Sequence, residues 1–234
     1  MKKLVKIISL VLAMTLVFCA CSNTETSFTS DTTAPAGNVD ETTANRNLLG
    51  EDLNTEKTEE SDSSETVSGH TKIKFTMKNG GEFIVELYPE YAPKTVENFV
   101  KLVKKGFYNG LTFHRVVEDF MAQGGDPEGT GYGGSDEEIY GEFLSNGYSQ
   151  NTLSHQRGVI SMARSGDPNS ASSQFFICYG DASFLDGSYA AFGKVIEGME
   201  VVDGFLDVKR VYGSDGALSK PVEPIVIEKA EVVL

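Results

Sequence analysis

Two segments decide how this chain folds: FHRVVEDFMAQGG at residues 113–125 and SSQFFI at residues 172–177. Together they supply one permanent cation, Arg115, two amides, Gln123 and Gln174, and several large apolar side chains. Neither segment holds an activated nucleophile or a cluster of metal ligands. If a fold brings these side chains together, the resulting site suits a reaction that breaks no lasting covalent bond.

The composition is acidic and excludes two classes of partner. The chain has 234 residues and a net charge of -14 at pH 7. A nucleic-acid-binding domain needs clustered Lys and Arg to neutralise phosphates, and a surface that adheres to anionic lipids needs them too. We therefore expect no nucleic-acid partner and no basic membrane-binding face. The length allows one domain with terminal extensions.

The first twenty residues are typical of an export signal. Three lysines among the first six residues precede an apolar run at residues 7–18, which is the length of a signal-peptide core and short for a membrane-spanning helix. Ala20 before Cys21 resembles a bacterial lipoprotein processing site. We expect residues 1–20 to be a signal peptide and Cys21 to be lipidated, which would anchor the protein on the extracytoplasmic face of a bacterial cell membrane. The alternatives are processing before Cys19 and a plain secretory signal.

Residues 21–70 are predicted to form a disordered acidic tether. Ser, Thr, Asn, Asp and Glu dominate this segment, and Phe28 is its one aromatic residue. Such a chain cannot bury enough apolar surface to offset the entropy lost on ordering. A flexible chain of this length has an r.m.s. reach of roughly 40 Å. The globular domain is therefore expected at residues 71–234.

Periodic patterns predict a β-hairpin and a helix at the start of this domain. Apolar residues alternate with polar ones over 73–77 and again over 83–87, and Asn-Gly-Gly at 79–81 supplies the turn. A helical pattern begins at Pro93, has lysines in its last turns, and stops at Gly106.

The rest of the domain consists of short strand-like runs between glycine-rich turns. One of the runs contains Cys178, which we expect to be a buried thiol without a disulfide partner. Many short strands with few helices favour a closed antiparallel barrel over a series of βαβ units. The predicted strands are 111–117, 159–163, 174–178, 190–195 and 225–233, with a short helix at 199–205.

Five short motifs lie along the domain: FHR at 113–115, FMAQGG at 120–125, SMA at 161–163, SQFFI at 173–177 and LDG at 185–187. In order and spacing they resemble the motifs of the cyclophilin family of peptidyl-prolyl isomerases, and the similarity extends from Lys72 to Leu234. The resemblance implies a mainly β fold: a closed antiparallel eight-stranded β-barrel capped by two α-helices, with a peptide groove on its outer surface. It also implies catalysis of rotation about X-Pro peptide bonds without a cofactor.

The same resemblance implies roles for individual residues. Arg115, Phe120 and Gln123 would be catalytic, with the Arg115 guanidinium aimed at the prolyl nitrogen as that nitrogen loses conjugation. Phe184 stands where many eukaryotic relatives have Trp, and Tyr189 where they have His. Taken singly, each apolar residue could instead be core and each polar one surface. The residues implied to bind the substrate are Met121, Ala163, Arg164, Gln174, Phe176, Phe184, Leu185 and Tyr189.

Three other patterns are weaker. The stretch 129–134 reads GTGYGG, which fits a dinucleotide-binding fingerprint, but no strand-turn-helix unit surrounds it, so we expect a loop beside the groove. His114 and His155 have no clustered ligands at metal-binding spacing, so no metal is expected and His114 is predicted to be a satisfied structural histidine. Ser161 lacks the pattern of a nucleophile elbow.

Two functions stay open at this point, and both require X-Pro-containing polypeptides as partners. One is an isomerase, expected to be a monomer, that assists the folding of exported proteins. The alternative is a non-catalytic chaperone module that binds proline-containing segments. Arg115 favours the enzyme, because a pure binder has less need of a cation at the prolyl nitrogen.

Overall fold

This computed structural model describes residues 70–233, and most of the regular secondary structure in that range is β-strand. The predicted signal peptide, Cys21 and the predicted tether up to residue 69 lie outside the described residues. The helices are α1 Pro93–Lys104 and α2 Met199–Asp203. The strands are β1 Lys72–Met77, β2 Glu82–Leu87, β3 Thr112–Val117, β4 Met121–Asp126, β5 Val159–Met162, β6 Phe175–Cys178, β7 Ala191–Glu197, β8 Arg210–Tyr212, β9 Leu218–Pro221 and β10 Ile225–Val233.

Eight of these strands close into an antiparallel barrel in the order β1-β10-β3-β4-β6-β5-β7-β2. Strands β8 and β9 form a separate two-stranded hairpin. Helix α1 packs against β10, and α2 packs against β2. The predicted fold class, a mainly β closed barrel of eight antiparallel strands with two helices, is confirmed.

The β1–β2 hairpin forms as its alternation predicts. Phe75 on β1 and Phe83 on β2 are paired directly and both point into the interior. Gly80 takes a φ of +86°, which favours glycine, and the Gly81 N–H donates to Asn79 Oδ1 at 3.1 Å. The turn chemistry therefore fixes the register that buries one face of both strands.

Helix α1 buries an apolar face against the barrel. It begins at Pro93, whose missing N–H is harmless in the first turn, and it carries Lys101 and Lys104 in its last turn, where cations complement the helix dipole. The ring centre of Phe99 is 5.5 Å from that of Phe175 and 5.0 Å from that of Phe192. The helix thus contributes directly to the aromatic core.

Side chains fill the interior of the barrel. Phe75 and Phe83 stack with their ring centres 4.8 Å apart, and Phe113 meets Phe175 edge-on at 5.7 Å. All four rings are buried. A barrel of eight strands is only wide enough for such packing, so a peptide site on the barrel has to lie on its outer surface.

The sequence patterns did not predict all of the strands. Strand β4 contains Gly124 and Gly125, which lower β propensity, and the short strands β8 and β9 carry no clear alternation. The second helix is shorter than predicted, because α2 ends at Asp203 and a 3₁₀ turn continues over Gly204–Asp207.

Candidate active site

A second, smaller apolar cluster lies on the outer face of strands β4 and β6. Along β6, Phe175 and Ile177 belong to the interior core, whereas Phe176 and Cys178 belong to the outer cluster, as the two-residue period of a strand requires. We call this outer cluster the apolar pocket. It comprises Met121, Phe176, Cys178, Ala182 and Leu185, bordered by Val117, Phe120, Ala163 and Tyr189.

A β-bulge at His114 turns Arg115 towards this outer face. Strict alternation would put Phe113 and Arg115 on the same side of β3. Instead, Phe113 pairs with Gly124 while Arg115 pairs with the neighbouring Gln123, so that His114 is an extra residue in the strand. Phe113 stays in the core, and the Arg115 side chain is 31% exposed on the outer surface.

Strand register aligns four residues in one row across the outer face. Arg115 is opposite Gln123, Gln123 is opposite Phe176, and Phe176 is opposite Ser161. Neighbouring strands are about 4.8 Å apart, so the row is about 15 Å long.

The Arg115 guanidinium lies at the edge of the apolar pocket. Its Nη1 is 3.4 Å from Gln123 Oε1 and 3.7 Å from Met121 Sδ, and its Cζ is 5.9 Å from the centre of the Phe120 ring. Its Nε donates a hydrogen bond of 2.6 Å to Asp215 in the turn of the β8–β9 hairpin. A permanent cation and an apolar surface therefore adjoin directly.

Aromatic rings form the floor and rim of the pocket. Phe176 is 4% exposed and lies in the floor, and Tyr189 meets it edge-on with ring centres 6.0 Å apart. Phe184 is 72% exposed, and its ring centre is 5.6 Å from that of Phe120. Phe184 thus extends the rim of the pocket into solvent.

Two amides connect the pocket to a neighbouring groove. Gln123 Nε2 donates to Gln174 Oε1 at 2.8 Å, and Gln174 Nε2 donates to the Gly133 carbonyl at 2.7 Å. Gly133 belongs to the glycine-rich loop, which lies beside the groove as predicted. The Ala163 N–H donates to the Gln174 carbonyl at 2.9 Å. The groove has a volume of about 490 Å³, and its lining includes Gln123, Ala163, Arg164, Gln174 and the loop residues Gly131–Gly134.

Arg164, which lines the groove, is fully engaged with the protein. Its guanidinium lies over the Tyr189 ring at 4.6 Å and the Phe143 ring at 5.1 Å. Its Nε and Nη2 donate to the Ser188 carbonyl, and its Nη1 donates to the Ser165 carbonyl. The side chain therefore holds the segment that carries Tyr189 against the barrel.

A hydrogen-bonded relay that sequence reasoning missed runs from the exposed Asp186 to His155 and Ser161, which are both buried. Asp186 Oδ1 is 2.7 Å from His155 Nδ1, and His155 Nε2 is 2.9 Å from Ser161 Oγ. The order is that of a hydrolase triad, but Ser161 is fully buried, so no substrate can reach its oxygen. The His155 ring stacks on Phe176 at 6.0 Å, and Asp186 directly follows Leu185 of the pocket. The relay supports the floor of the pocket.

Protonation states in this region follow from burial. Burial lowers the pKa of His155, against the opposing effect of Asp186. Burial, followed by the nearby Asp186 charge, raises the pKa of Cys178 to about 12. Cys178 is therefore a protonated, buried free thiol, as predicted from its apolar run.

The prediction that His114 is a satisfied structural histidine is wrong. Neither of its ring nitrogens has a hydrogen-bond partner within the protein, so it is not a satisfied structural histidine. Burial lowers its pKa, although the Asp126 charge acts in the opposite direction. Because His114 is the extra residue of the bulge, its backbone directs Arg115 outward while its ring packs under the glycine-rich loop near Gly131.

Comparison with known proteins agrees with this geometry. Residues 72–232 match the family model described as cyclophilin type peptidyl-prolyl cis-trans isomerase. The chain belongs to the cyclophilin family. The motif resemblance is thereby confirmed, and the residues that it singled out converge on one face of this cyclophilin. Of the predicted site residues only Cys21 lies outside the described part of the chain.

The relatives and the solved structure described next come from eukaryotes. The peptidyl-prolyl cis-trans isomerase ppi1 of Schizosaccharomyces pombe is 43% identical over 150 residues, which cover 64% of this chain and 92% of the relative. Peptidyl-prolyl cis-trans isomerase-like 3 of Rattus norvegicus is 48% identical over 123 residues, which cover 53% of this chain and 74% of the relative. A crystal structure of a Cryptosporidium parvum cyclophilin-type isomerase superposes with a TM-score of 0.62 at 31% identity, covering 71% of this chain and 99% of the other. These relatives do not support a bacterial lipoprotein character.

Proposed function

We propose that this cyclophilin is a peptidyl-prolyl cis-trans isomerase that accelerates rotation about X-Pro peptide bonds. One observation carries the proposal: the Arg115 guanidinium adjoins an apolar pocket on the outer face, with Nη1 3.7 Å from Met121 Sδ. A second structure of the Cryptosporidium parvum relative, at a TM-score of 0.61 and 31% identity, was determined in the presence of the dipeptide Ala-Pro. A dipeptide that ends in proline has the chemistry that the pocket fits.

The reaction needs no covalent chemistry from the protein. Rotation about a peptide bond must overcome a barrier of about 18–20 kcal/mol, because resonance makes the bond planar. Uncatalysed X-Pro isomerisation takes tens to hundreds of seconds. In the twisted transition state the prolyl nitrogen regains a lone pair. A donor fixed near that nitrogen binds the twisted amide better than either planar form, which lowers the barrier.

Each predicted site residue has a role in this mechanism. The proline ring packs against Phe176 and Met121, which holds one side of the rotating bond. Arg115 donates to the prolyl nitrogen, and Phe120 borders its guanidinium. Gln123 forms hydrogen bonds to the substrate backbone near the reacting bond. The further substrate contacts that we propose are Gln174, Ala163 and the backbone of Arg164 along the groove, and Leu185, Tyr189 and Phe184 around the pocket.

Exchange spectroscopy tests the mechanism. Cis-trans exchange in a short Ala-Pro peptide is measured by NMR with wild type and with Arg115→Ala. A charge-assisted hydrogen bond contributes about 1.5–3 kcal/mol, so the variant should be about 10- to 150-fold slower. Arg157→Ala is the matched control, because Arg157 pairs with Asp203 outside the pocket. It should keep the wild-type rate.

Two outcomes separate the enzyme from the binding module. Peptide binding by wild type without faster exchange would mean that the protein binds proline segments and does not catalyse. Exchange that is equally fast with Arg115→Ala would leave the activity standing but remove Arg115 from the mechanism.

We further propose that the protein works as a monomer, attached to the extracytoplasmic face of a bacterial membrane through a lipid on Cys21. Residues 21–70 would then be the tether, and exported proteins the clients. The proposal rests on the apolar run and on Ala20 before Cys21. No helix within residues 70–233 is long and apolar enough to cross a bilayer. Cys21→Ser should abolish lipid attachment, and an unchanged mass and membrane partitioning after that substitution would refute it.

A further inference from the structure

The turn of the β8–β9 hairpin reaches the Arg115 guanidinium from outside the barrel. Arg115 Nε donates a 2.6 Å hydrogen bond to Asp215 Oδ2, across 100 residues of sequence. Strand β9 packs against β3, so that the hairpin lies beside the strand that carries Arg115. The two side chains are 31% and 24% exposed, which makes this ion pair partly sheltered from solvent.

Asp215 is itself held in place by its own turn. Its Oδ1 accepts hydrogen bonds from the Ala217 N–H at 3.0 Å and from Ser219 Oγ at 2.8 Å, and Ser219 is buried. At Gly213 a Cβ would lie 2.6 Å from Ser219 Oγ and 2.8 Å from Asp215 Oδ1, so a side chain there would displace one or both of these groups. Burial would raise the pKa of Asp215, but the hydrogen bond from Arg115 and those from Ala217 and Ser219 lower it below its usual value. The carboxylate is therefore a fixed anion before any substrate arrives.

This contact determines which edge of the guanidinium faces the substrate. A guanidinium presents five N–H donors in a rigid plane. With Nε held by Asp215, Nη1 faces the pocket. There the contacts of Nη1 are long, at 3.4 Å to Gln123 Oε1 and 3.7 Å to Met121 Sδ, whereas a strong N–H···O bond is about 2.9 Å. Nη1 can therefore turn to a substrate without breaking a strong bond.

We propose that Asp215 is a positioning residue, which holds Arg115 in the orientation that stabilises the twisted prolyl amide. This inference rests on the proposed isomerase function. Within residues 70–233 the hydrogen bonds of Asp215 go to Arg115, Ala217 and Ser219, none of which belongs to the apolar pocket. Its loss should therefore lower the rate on bound peptide and leave peptide affinity nearly unchanged.

The test compares Asp215→Asn with wild type and with Asp203→Asn. Asp203 forms an equally short ion pair, 2.6 Å from Arg157, which makes it a matched control for loss of a surface ion pair. Exchange in an Ala-Pro peptide is measured by NMR at saturating peptide, together with peptide affinity. We expect Asp215→Asn to be about tenfold slower, with affinity within twofold of wild type, and Asp203→Asn to match wild type in both.

A spectroscopic signature reports on the positioning itself. In wild type the Arg115 Nε–H resonance should be shifted downfield and exchange slowly with water, because its proton is shared with a carboxylate. In Asp215→Ala it should move to the position of a solvent-exposed arginine. Asp215→Ala is included because the Asn side chain could still accept a hydrogen bond from Arg115 Nε, whereas Ala cannot.

The outcomes distinguish this inference from the function on which it rests. If wild type accelerates exchange and both Asp215 variants keep that rate, the positioning role is wrong and the enzyme stands. A weaker affinity with an unchanged rate on bound peptide would also overturn it, since that pattern indicates a substrate contact. If wild type shows no acceleration, the proposed function fails first and the positioning role fails with it.

Discussion

The strongest prediction for stability concerns Glu142, a buried carboxylate at the start of helix α1. Its Oε1 accepts from the Lys94 N–H at 3.0 Å, and its Oε2 accepts from the Thr95 N–H at 2.8 Å and from Thr95 Oγ1 at 2.7 Å. Ala92, which precedes the helix, provides no side-chain cap, and the first turn has no acidic residue. Glu142 therefore supplies from another part of the chain the acceptors that the helix lacks locally.

Glu142→Gln removes the charge and keeps the size of the side chain. The new amide can offer one oxygen to Thr95, but its NH₂ group then faces the Lys94 N–H, and two donors oppose each other. A buried donor left without a partner costs about 1–3 kcal/mol, and losing a carboxylate at a partly buried helix N-terminus costs up to about 2 kcal/mol. We therefore expect a loss of about 3 kcal/mol in the free energy of unfolding. For a domain of this size that corresponds to a decrease in Tm of roughly 6–12 °C.

The assay is urea unfolding followed by circular dichroism, because the chain contains no Trp for fluorescence. Glu97→Gln is the matched control: the same substitution on an exposed position of α1 should change stability by less than about 0.5 kcal/mol. If Glu142→Gln is as stable as Glu97→Gln, the three hydrogen bonds do not stabilise the helix, and the explanation of how α1 is capped is wrong.

Three further predictions concern pH, the pocket floor and a glycine. Burial lowers the pKa of His155 in the folded state, so below about pH 6.5 the unfolded state binds more protons than the folded state. The free energy of unfolding should therefore fall as the pH is lowered from 7.5 to 5, and it should fall less steeply in His155→Asn. Equal slopes for the two proteins would show that His155 does not cause this pH dependence. Phe176→Leu replaces the aromatic ring in the pocket floor by a smaller side chain, and peptide titration should show a dissociation constant about three- to tenfold higher. An unchanged dissociation constant would mean that Phe176 does not contribute to peptide binding. Gly198 has a φ of +75°, and a Cβ there would lie 2.3 Å from the Glu82 carbonyl oxygen. Urea unfolding of Gly198→Ala should therefore show a free energy of unfolding lower by more than about 2 kcal/mol. In the control Gly204→Ala, where a Cβ meets no atom within 4 Å, the loss should be less than about 1 kcal/mol.

Local patterns predicted the elements whose register is set by nearby residues. The alternation over 73–77 and 83–87 and the turn at 79–81 lie within fifteen residues, and they produced the correct hairpin. Pro93 marked the start of α1 for a similarly local reason. The residues of the pocket were identified through the order of family motifs, because strand propensity alone does not say which strands become neighbours.

Contacts between distant segments could not be predicted in this way. Arg115 and Asp215 are 100 residues apart, and His155 and Asp186 are 31 residues apart. Each carboxylate lies in a turn whose composition is ordinary for a surface loop. Only closure of the barrel and docking of the β8–β9 hairpin bring these groups to their partners.

Arg115 at the pocket and Arg164 at the groove differ in how many of their N–H donors are already used by the protein. Arg164 donates from Nε, Nη1 and Nη2 to carbonyls of the protein and is enclosed by two rings. Moving it towards a substrate would break several of these bonds. Arg115 makes one short hydrogen bond, to Asp215, and its Nη1 contacts are weak. A catalyst that acts by differential binding needs a donor that is fixed in direction and still available at the transition state. Arg115 meets both conditions, whereas Arg164 meets only the first, so the mechanism that we propose assigns the prolyl nitrogen to Arg115.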